Sequence, residues 1–394
     1  MSAAIAPTLG IETLETPSLV VDLDRLEGNI ARWAAYAKDA GVKLRPHGKT
    51  HKCVEIARRQ LEAGAVGLTL AKIGEAEVMA RAGVEDVFLA YEVVGGPKLP
   101  RLLDLARKIR IRVGVDSMDV ATPLADAAAS AGVRVDVMLE VDTGLGRCGV
   151  APGAPLLALA RAVAGSRGLR LAGIFTYRGY RAGRVVEPPG DPLGGRPRGD
   201  AAELDGSDLE TAGREEGEIM VREAARLRAA GLAIDDVSVG STPTGRPAAR
   251  VPGVTEVRPG TYVFNDAMQV RWGSAKPEEC ALAVVCRVIS RPSRDVAVLD
   301  AGSKVLTAER GPFSSRGDSH GVLRGYPDCQ IDRLWEEHGR VQLTEDARRL
   351  RVGDFVEVIP AHVCPTVNLA RRLVCVRDGR VEATWEVAAR AEVQ

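Results

Sequence analysis

Short β-branched and apolar runs alternate with stretches of helical period across the first three-fifths of this 394-residue chain. Residues 18–21, 43–45, 66–70, 86–90, 111–115, 136–141, 171–176 and 237–241 read as strands, with residues 26–40 and 53–63 as the first helices between them. Strands that recur with a helix between them pair in parallel, because returning to the same edge needs a crossover of that length. Roughly eight such units fill about 240 residues, the size of a closed (β/α)8 barrel. An open doubly wound sheet shares the periodicity, and the barrel is the preferred reading. After Val257 the pattern changes: 281–289, 295–299, 355–359, 373–376 and 381–387 alternate as antiparallel strands, with one helical stretch near 332–338. The expected organisation is therefore α/β, a barrel over residues 14–256 followed by a mostly antiparallel β domain over 257–394 that residues 1–13 rejoin. Residues 181–207, dense in Gly, Pro, Arg and Asp, cannot pack a core and read as a long surface loop, either a lid or a disordered segment.

Lys plus Arg and Asp plus Glu balance at 53 each, so there is no basic field for nucleic acid and no acidic tail. The partner expected is a small molecule. No apolar run spans a bilayer and no basic-then-apolar leader opens the sequence, so the expected location is cytoplasmic, with no membrane partner. Seven cysteines without C-x-x-C pairs argue against a disulfide framework and against a zinc knuckle.

Four motifs carry chemistry. In Arg45-Pro46-His47-Gly48-Lys49-Thr50-His51-Lys52, a lysine lies between two histidines just after a strand, where barrels keep reactive groups. A lysine desolvated beside cations has a lowered pKa and can form a Schiff base, and Arg45, His47 and His51 are the candidates for that environment. Gly240-Ser241-Thr242-Pro243-Thr244 follows a late strand; its small residues and hydroxyls suit an anion, and late barrel loops favour phosphate. Tyr262 is a candidate further donor to that phosphate. Gly144-Leu145-Gly146-Arg147-Cys148-Gly149 allows close backbone approach and sets one fixed cation, Arg147, against a ligand oxygen; the third glycine of a dinucleotide fingerprint is missing. His362-Val363-Cys364, at the end of a strand, puts two metal ligands on one face of an extended chain.

Together with Thr16-Pro17-Ser18-Leu19-Val20, residues 258–266 and Asp300-Ala301-Gly302, these motifs resemble, in order and over nearly the whole chain, the D-threonine aldolase and D-serine dehydratase family. The resemblance implies the alanine-racemase-type fold, pyridoxal 5'-phosphate with a divalent metal, and a homodimer. It implies that Lys49 forms the Schiff base with the cofactor, with His47 nearby. Arg147 would contact the cofactor ring oxygen, Tyr177 line the ring, and Gly240, Ser241, Thr242 and Tyr262 surround the phosphate. His362 and Cys364 would hold the metal that polarises a substrate β-hydroxyl.

Two departures from the aldolase pattern stand out. Aldolases of the family carry a histidine a few positions after the tyrosine matching Tyr177, and Tyr177-Arg178-Gly179-Tyr180-Arg181-Ala182-Gly183 has none. The dehydratase branch has H-x-C as here, where a known aldolase pattern has aspartate at the second position. Thiolate plus imidazole favours zinc over manganese or magnesium. The leading expectation is a lyase of β-hydroxy-D-amino acids that eliminates to a keto acid and ammonia, in the manner of a D-serine dehydratase. Retro-aldol cleavage to glycine and an aldehyde is the alternative, an amino-acid racemase a third, and a non-catalytic pyridoxal-phosphate carrier the rival from another class.

Overall fold

The computed structural model describes residues 13–178 and 206–394, with the side chains of 206–208 left aside. Of the loop expected over 181–207, residues 181–205 lie outside the described residues, and 206–207 open the helix Gly206–Ala229. Two compact units emerge: one holds residues 32–49, 57–178, 206–260 and 392–394, the other 13–31, 50–56 and 261–391.

In the first unit eight parallel strands run in the order Lys43–Leu44, Glu256–Val257, Asp236–Val239, Leu169–Phe175, Val135–Glu140, Arg110–Val115, Asp86–Glu92, Leu68–Leu70. The two ends of that order meet: His47 bridges Thr69 in parallel, and the Thr69 N–H donates to the Pro46 carbonyl at 2.8 Å, so the sheet closes as a barrel. Helices return the chain between strands by burying one apolar stripe. In Met118–Ser130 the buried residues are Val120, Ala121, Leu124, Ala125 and Ala128, the spacing of a 3.6-residue period.

The N-terminal ends of the barrel strands are held by charge. Arg45, 2 % exposed, donates to Glu256 and to Asp86 at 2.7 Å each, and Arg112 donates to Asp236 at 2.7 Å. Each of these buried ions is paired, which is the condition for carrying charge inside a core. Above them Phe88 and Phe175 meet edge to face at 4.9 Å, and the buried Arg258 guanidinium lies 5.4 Å from the Phe175 ring centroid.

The second unit is built on a nine-stranded sheet around Leu282–Ser293, which pairs antiparallel with Ser18–Asp22, Val296–Leu299 and Phe355–Pro360. Ser18–Asp22 thus belongs here, where residues 18–21 were expected to open the barrel. An apolar run marks a buried strand without saying in which sheet it lies, and Val20 packs with Val285 and Val376. The barrel's eighth strand is instead Glu256–Val257, two residues that no apolar run announces. The helix expected near 332–338 is absent: Gln330–Leu334 and Gly339–Gln342 pair as a hairpin, with Ile331 opposite Val341. Ile331, Leu334 and Trp335 are spaced as in a helix, and cross-strand packing overrides that spacing. Among the described residues no helix is long and apolar enough to cross a membrane.

Candidate active site

Seven of the expected site residues in the barrel unit follow C-terminal strand ends, the face on which barrel enzymes place their chemistry. His47 and Lys49 follow Lys43–Leu44, Arg147 follows Val135–Glu140, Tyr177 follows Leu169–Phe175, and the 240–244 turn follows Asp236–Val239. The acids that pair with Arg45 and Arg112, namely Asp86, Asp236 and Glu256, each open a strand at the opposite end.

Lys49 lies in a short 3-10 turn, Gly48–Thr50, and its backbone N–H is 3.5 Å from His47 Nδ1. Its Nζ stands 5.7 Å from the Tyr177 ring centroid, and the Arg147 guanidinium lies 5.0 Å from the same ring. One aromatic ring therefore gathers the amine and the arginine, as cation–π attraction favours. One of the three groups expected to surround Lys49 is placed otherwise. Arg45 is neutralised by Asp86 and Glu256. His51 Nδ1 is engaged by the backbone of Cys53.

Arg147 is half exposed and stands 3.7 Å from the buried Glu140 carboxylate. Burial, and then the neighbouring Glu92, push the Glu140 carboxyl up to about 8 against the pull of Arg147 and Arg258. Glu92, Glu140 and Cys148 bring their ligand atoms within 4.8 Å of one another. None of these three was expected to belong to a site. Carboxyls so crowded share protons.

The 240–244 turn is fixed from below. Gly240 has φ +95°, a conformation open to glycine, and a Cβ there would meet Val257 Cγ2 at 2.8 Å. Its N–H donates to Glu216 at 2.8 Å, and the Thr244 hydroxyl donates to the other Glu216 oxygen at 2.9 Å. Ser241 Oγ lies 2.9 Å from Thr244 Oγ1. Ser241 and Thr242 are both buried, and their hydroxyl and N–H groups are of the kind that suit a phosphate. Glu216 escaped the sequence reading because an acid in a helix rich in Glu looks like a solvated face; Gly213 is the signal that betrays its burial. A Cβ at Gly213 would meet the Thr244 carbonyl at 2.5 Å, so that helix packs directly on the turn.

In the second unit Tyr262 lies in the turn Thr261–Val263 and is buried. His362 and Cys364 do not share an extended strand. His362 is extended and caps the helix Val363–Leu369, and Cys364 lies in its first turn. The turn still brings them together. Burial presses the His362 pKa down, and the adjacent Cys364 and Asp266 outweigh it and raise it well above the usual range. The same balance favours any positive charge at that place, and an imidazole beside a thiol is a donor set for a divalent metal. Cys364 Sγ lies 3.3 Å from Thr50 Oγ1. None of the seven cysteines is in a disulfide.

The alanine racemase N-terminal domain matches residues 21–267, and the putative serine dehydratase domain residues 281–376. The chain is 37% identical to D-threonine aldolase of Arthrobacter sp, over 96% of this chain and 93% of that protein. It is 34% identical to D-threo-3-hydroxyaspartate dehydratase of Delftia sp. (strain HT23), over 95% and 97%. The crystal structure of D-threonine aldolase from Filomicrobium marinum superposes with a TM-score of 0.85 at 34% identity, covering 100% of both chains. D-threo-3-hydroxyaspartate dehydratase has been solved with a histidine replaced by alanine and, two positions further on, with a cysteine replaced by alanine in the metal-free form; these superpose with TM-scores of 0.83 and 0.82 at 33% and 34% identity, each covering 96% of this chain and 96% and 98% of theirs. The chain belongs to the D-threonine aldolase and D-serine dehydratase family of pyridoxal-phosphate lyases, with the alanine-racemase-type fold.

Proposed function

We propose that this lyase acts on β-hydroxy-D-amino acids and eliminates the β-hydroxyl, giving a keto acid and ammonia. The observation that carries the reading is the His362 and Cys364 donor pair at the start of one helix. The pair has the spacing of the histidine and cysteine replaced in the D-threo-3-hydroxyaspartate dehydratase structures, one of which is metal-free. D-Serine and 3-substituted analogues such as D-threo-3-hydroxyaspartate are the substrate class.

When bound, pyridoxal phosphate supplies an electron sink for the α-carbon and a divalent metal supplies Lewis acidity toward a β-oxygen. Lys49 would hold the cofactor through its amine, and the same amine would be the base that removes the α-proton. Tyr177 flanks that amine, Arg147 offers a fixed guanidinium to the cofactor ring oxygen, and Ser241, Thr242 and Tyr262 take the phosphate. Gly240 contributes the turn's conformation, its N–H being engaged by Glu216. His362 and Cys364 hold the metal, and a thiolate with an imidazole makes zinc the favoured ion over manganese or magnesium.

Retro-aldol cleavage is favoured by the likeness to D-threonine aldolases in sequence and in structure. Against it stands the lack of a histidine between Tyr177 and Gly183, the position from which the family's aldolases deprotonate a β-hydroxyl. Purified holoenzyme incubated with D-serine, D-threo-3-hydroxyaspartate and D-threonine decides: keto acid and ammonia as main products are expected, and glycine with an aldehyde would overturn the reading. The family reading also carries a homodimer, which light scattering tests.

A further inference from the structure

The metal pair is braced by a residue to which no role has been given. Asp266 is fully buried and caps the helix Ala267–Arg271, its Oδ1 accepting the Gln269 N–H at 2.9 Å. Its other oxygen, Oδ2, lies 3.1 Å from His362 Nδ1 and also accepts the Val363 N–H at 3.1 Å. One carboxylate oxygen therefore meets the ring of His362 and the first N–H of the helix that carries Cys364. The surroundings hold Asp266 in turn. The Met268 N–H donates to the Ala361 carbonyl at 3.3 Å, tying the two helix starts together. Asn265, just before it, has φ +52°, in the left-handed region that asparagine enters more readily than most non-glycine residues.

We propose that Asp266 is a positioning residue for the metal pair, a role that rests on reading His362 and Cys364 as metal ligands. By accepting a proton-bearing Nδ1, the carboxylate fixes the tautomer in which Nε2 carries the lone pair, and so selects Nε2 as the metal-binding atom. By accepting the Val363 N–H it fixes the first helical turn, and with it the direction of the Cys364 Cα–Cβ bond. Both ligands are thus set by one group that does not touch the ion. The His362 carbonyl accepts from Thr366 Oγ1 at 3.0 Å, which pins the same turn from its other side.

The test uses the cofactor-loaded protein stripped of metal with a chelator. Zinc affinity is measured by competition with a chromophoric chelator for the parent, Asp266→Asn, Asp266→Ala and His362→Ala. Weakening of about 10- to 100-fold is expected in the two Asp266 variants, with cofactor absorbance unchanged and a greater loss in His362→Ala. In the cobalt-substituted Asp266→Asn protein the thiolate-to-metal band is expected to persist while the ligand-field bands shift, a change that general destabilisation does not produce. Folded Asp266 variants that bind zinc within twofold of the parent would overturn the proposal while leaving the metal pair standing. A parent that binds zinc no better than His362→Ala would instead sink the metal reading and this inference with it. Should both Asp266 variants fail to fold, the metal-loaded parent decides: an ion on Nε2 of His362 is expected, and an ion on Nδ1 would overturn the assignment.

Discussion

Replacing Glu216 with alanine should loosen the 240–244 turn and weaken cofactor binding through the phosphate alone. The carboxylate is wholly buried and accepts from Gly240 N and Thr244 Oγ1, at the two ends of a five-residue turn. Stranding a buried donor costs about 1–3 kcal/mol, so two donors set a range of about 2–6 kcal/mol. Thr244 keeps Ser241 Oγ as a partner, and the variant no longer desolvates a carboxylate, whose pKa burial raises. These two reliefs bring the expectation to the lower part of that range, about 2–4 kcal/mol. If the binding-competent turn becomes the minor state by about 2 kcal/mol, apparent affinity falls roughly 30-fold. Apo protein titrated with pyridoxal phosphate, and separately with pyridoxal, reads this directly. The loss should appear with pyridoxal phosphate and be small with pyridoxal, which has no phosphate to seat. Glu216→Gln, which keeps one acceptor oxygen, should fall between parent and alanine variant. An alanine variant that binds pyridoxal phosphate within twofold of the parent, or that loses both ligands equally, would show that Glu216 does not act through the phosphate turn.

Two further outcomes follow from buried charge. Glu256→Ala leaves Arg45 short of a partner 2.7 Å away and should cost about 3–5 kcal/mol in urea unfolding at neutral pH. Burial pushes the Glu256 carboxyl up, while Arg45 and Arg112 outweigh it and hold it below the ordinary carboxylate range. Its contribution is therefore complete at neutral pH and is lost as pH falls through that lowered pKa, so the gap between parent and variant should close in acid. Glu140 behaves in the opposite sense. Its folded pKa, raised to about 8 by burial and Glu92, means the native state holds a proton that the unfolded chain has released, so stability declines as pH rises from the ordinary carboxylate range toward 8. Glu140→Gln should remove that decline, giving a variant that gains on the parent between pH 5 and 8 in the same urea assay.

Much of the barrel was legible in the sequence because its strands are continuous apolar runs between amphipathic helices, a pattern that parallel sheets impose. What escaped was long-range partnership. The run at Ser18–Asp22 announces a strand but not its sheet, which is chosen by Val285 and Val376 far along the chain. Glu256–Val257 is too short to leave any periodicity, and it joins the barrel because Lys43–Leu44 and Asp236–Val239 offer both edges. At the site, chain-local motifs picked out Lys49, Arg147 and the 240–244 turn. The residues that brace such motifs, Glu216 and Asp266, lie 24 and 96 positions from groups they hold, and only folding reveals them. Asp266 left one faint trace, an acid just before a short helical stretch, where a helix cap belongs. Arg45 was misjudged for the same reason: its partners, Asp86 and Glu256, come from distant strands.

The proposed function rests on Lys49 as the amine that carries the cofactor. Reducing the pyridoxal-phosphate-loaded protein with borohydride, digesting it and locating the pyridoxyl group by mass spectrometry tests this most directly. A single modified peptide bearing the label on Lys49 is expected, with no label retained by Lys49→Ala. A label on Lys43, Lys52 or Lys72 in the parent, or undiminished labelling of the Lys49→Ala protein, would contradict it.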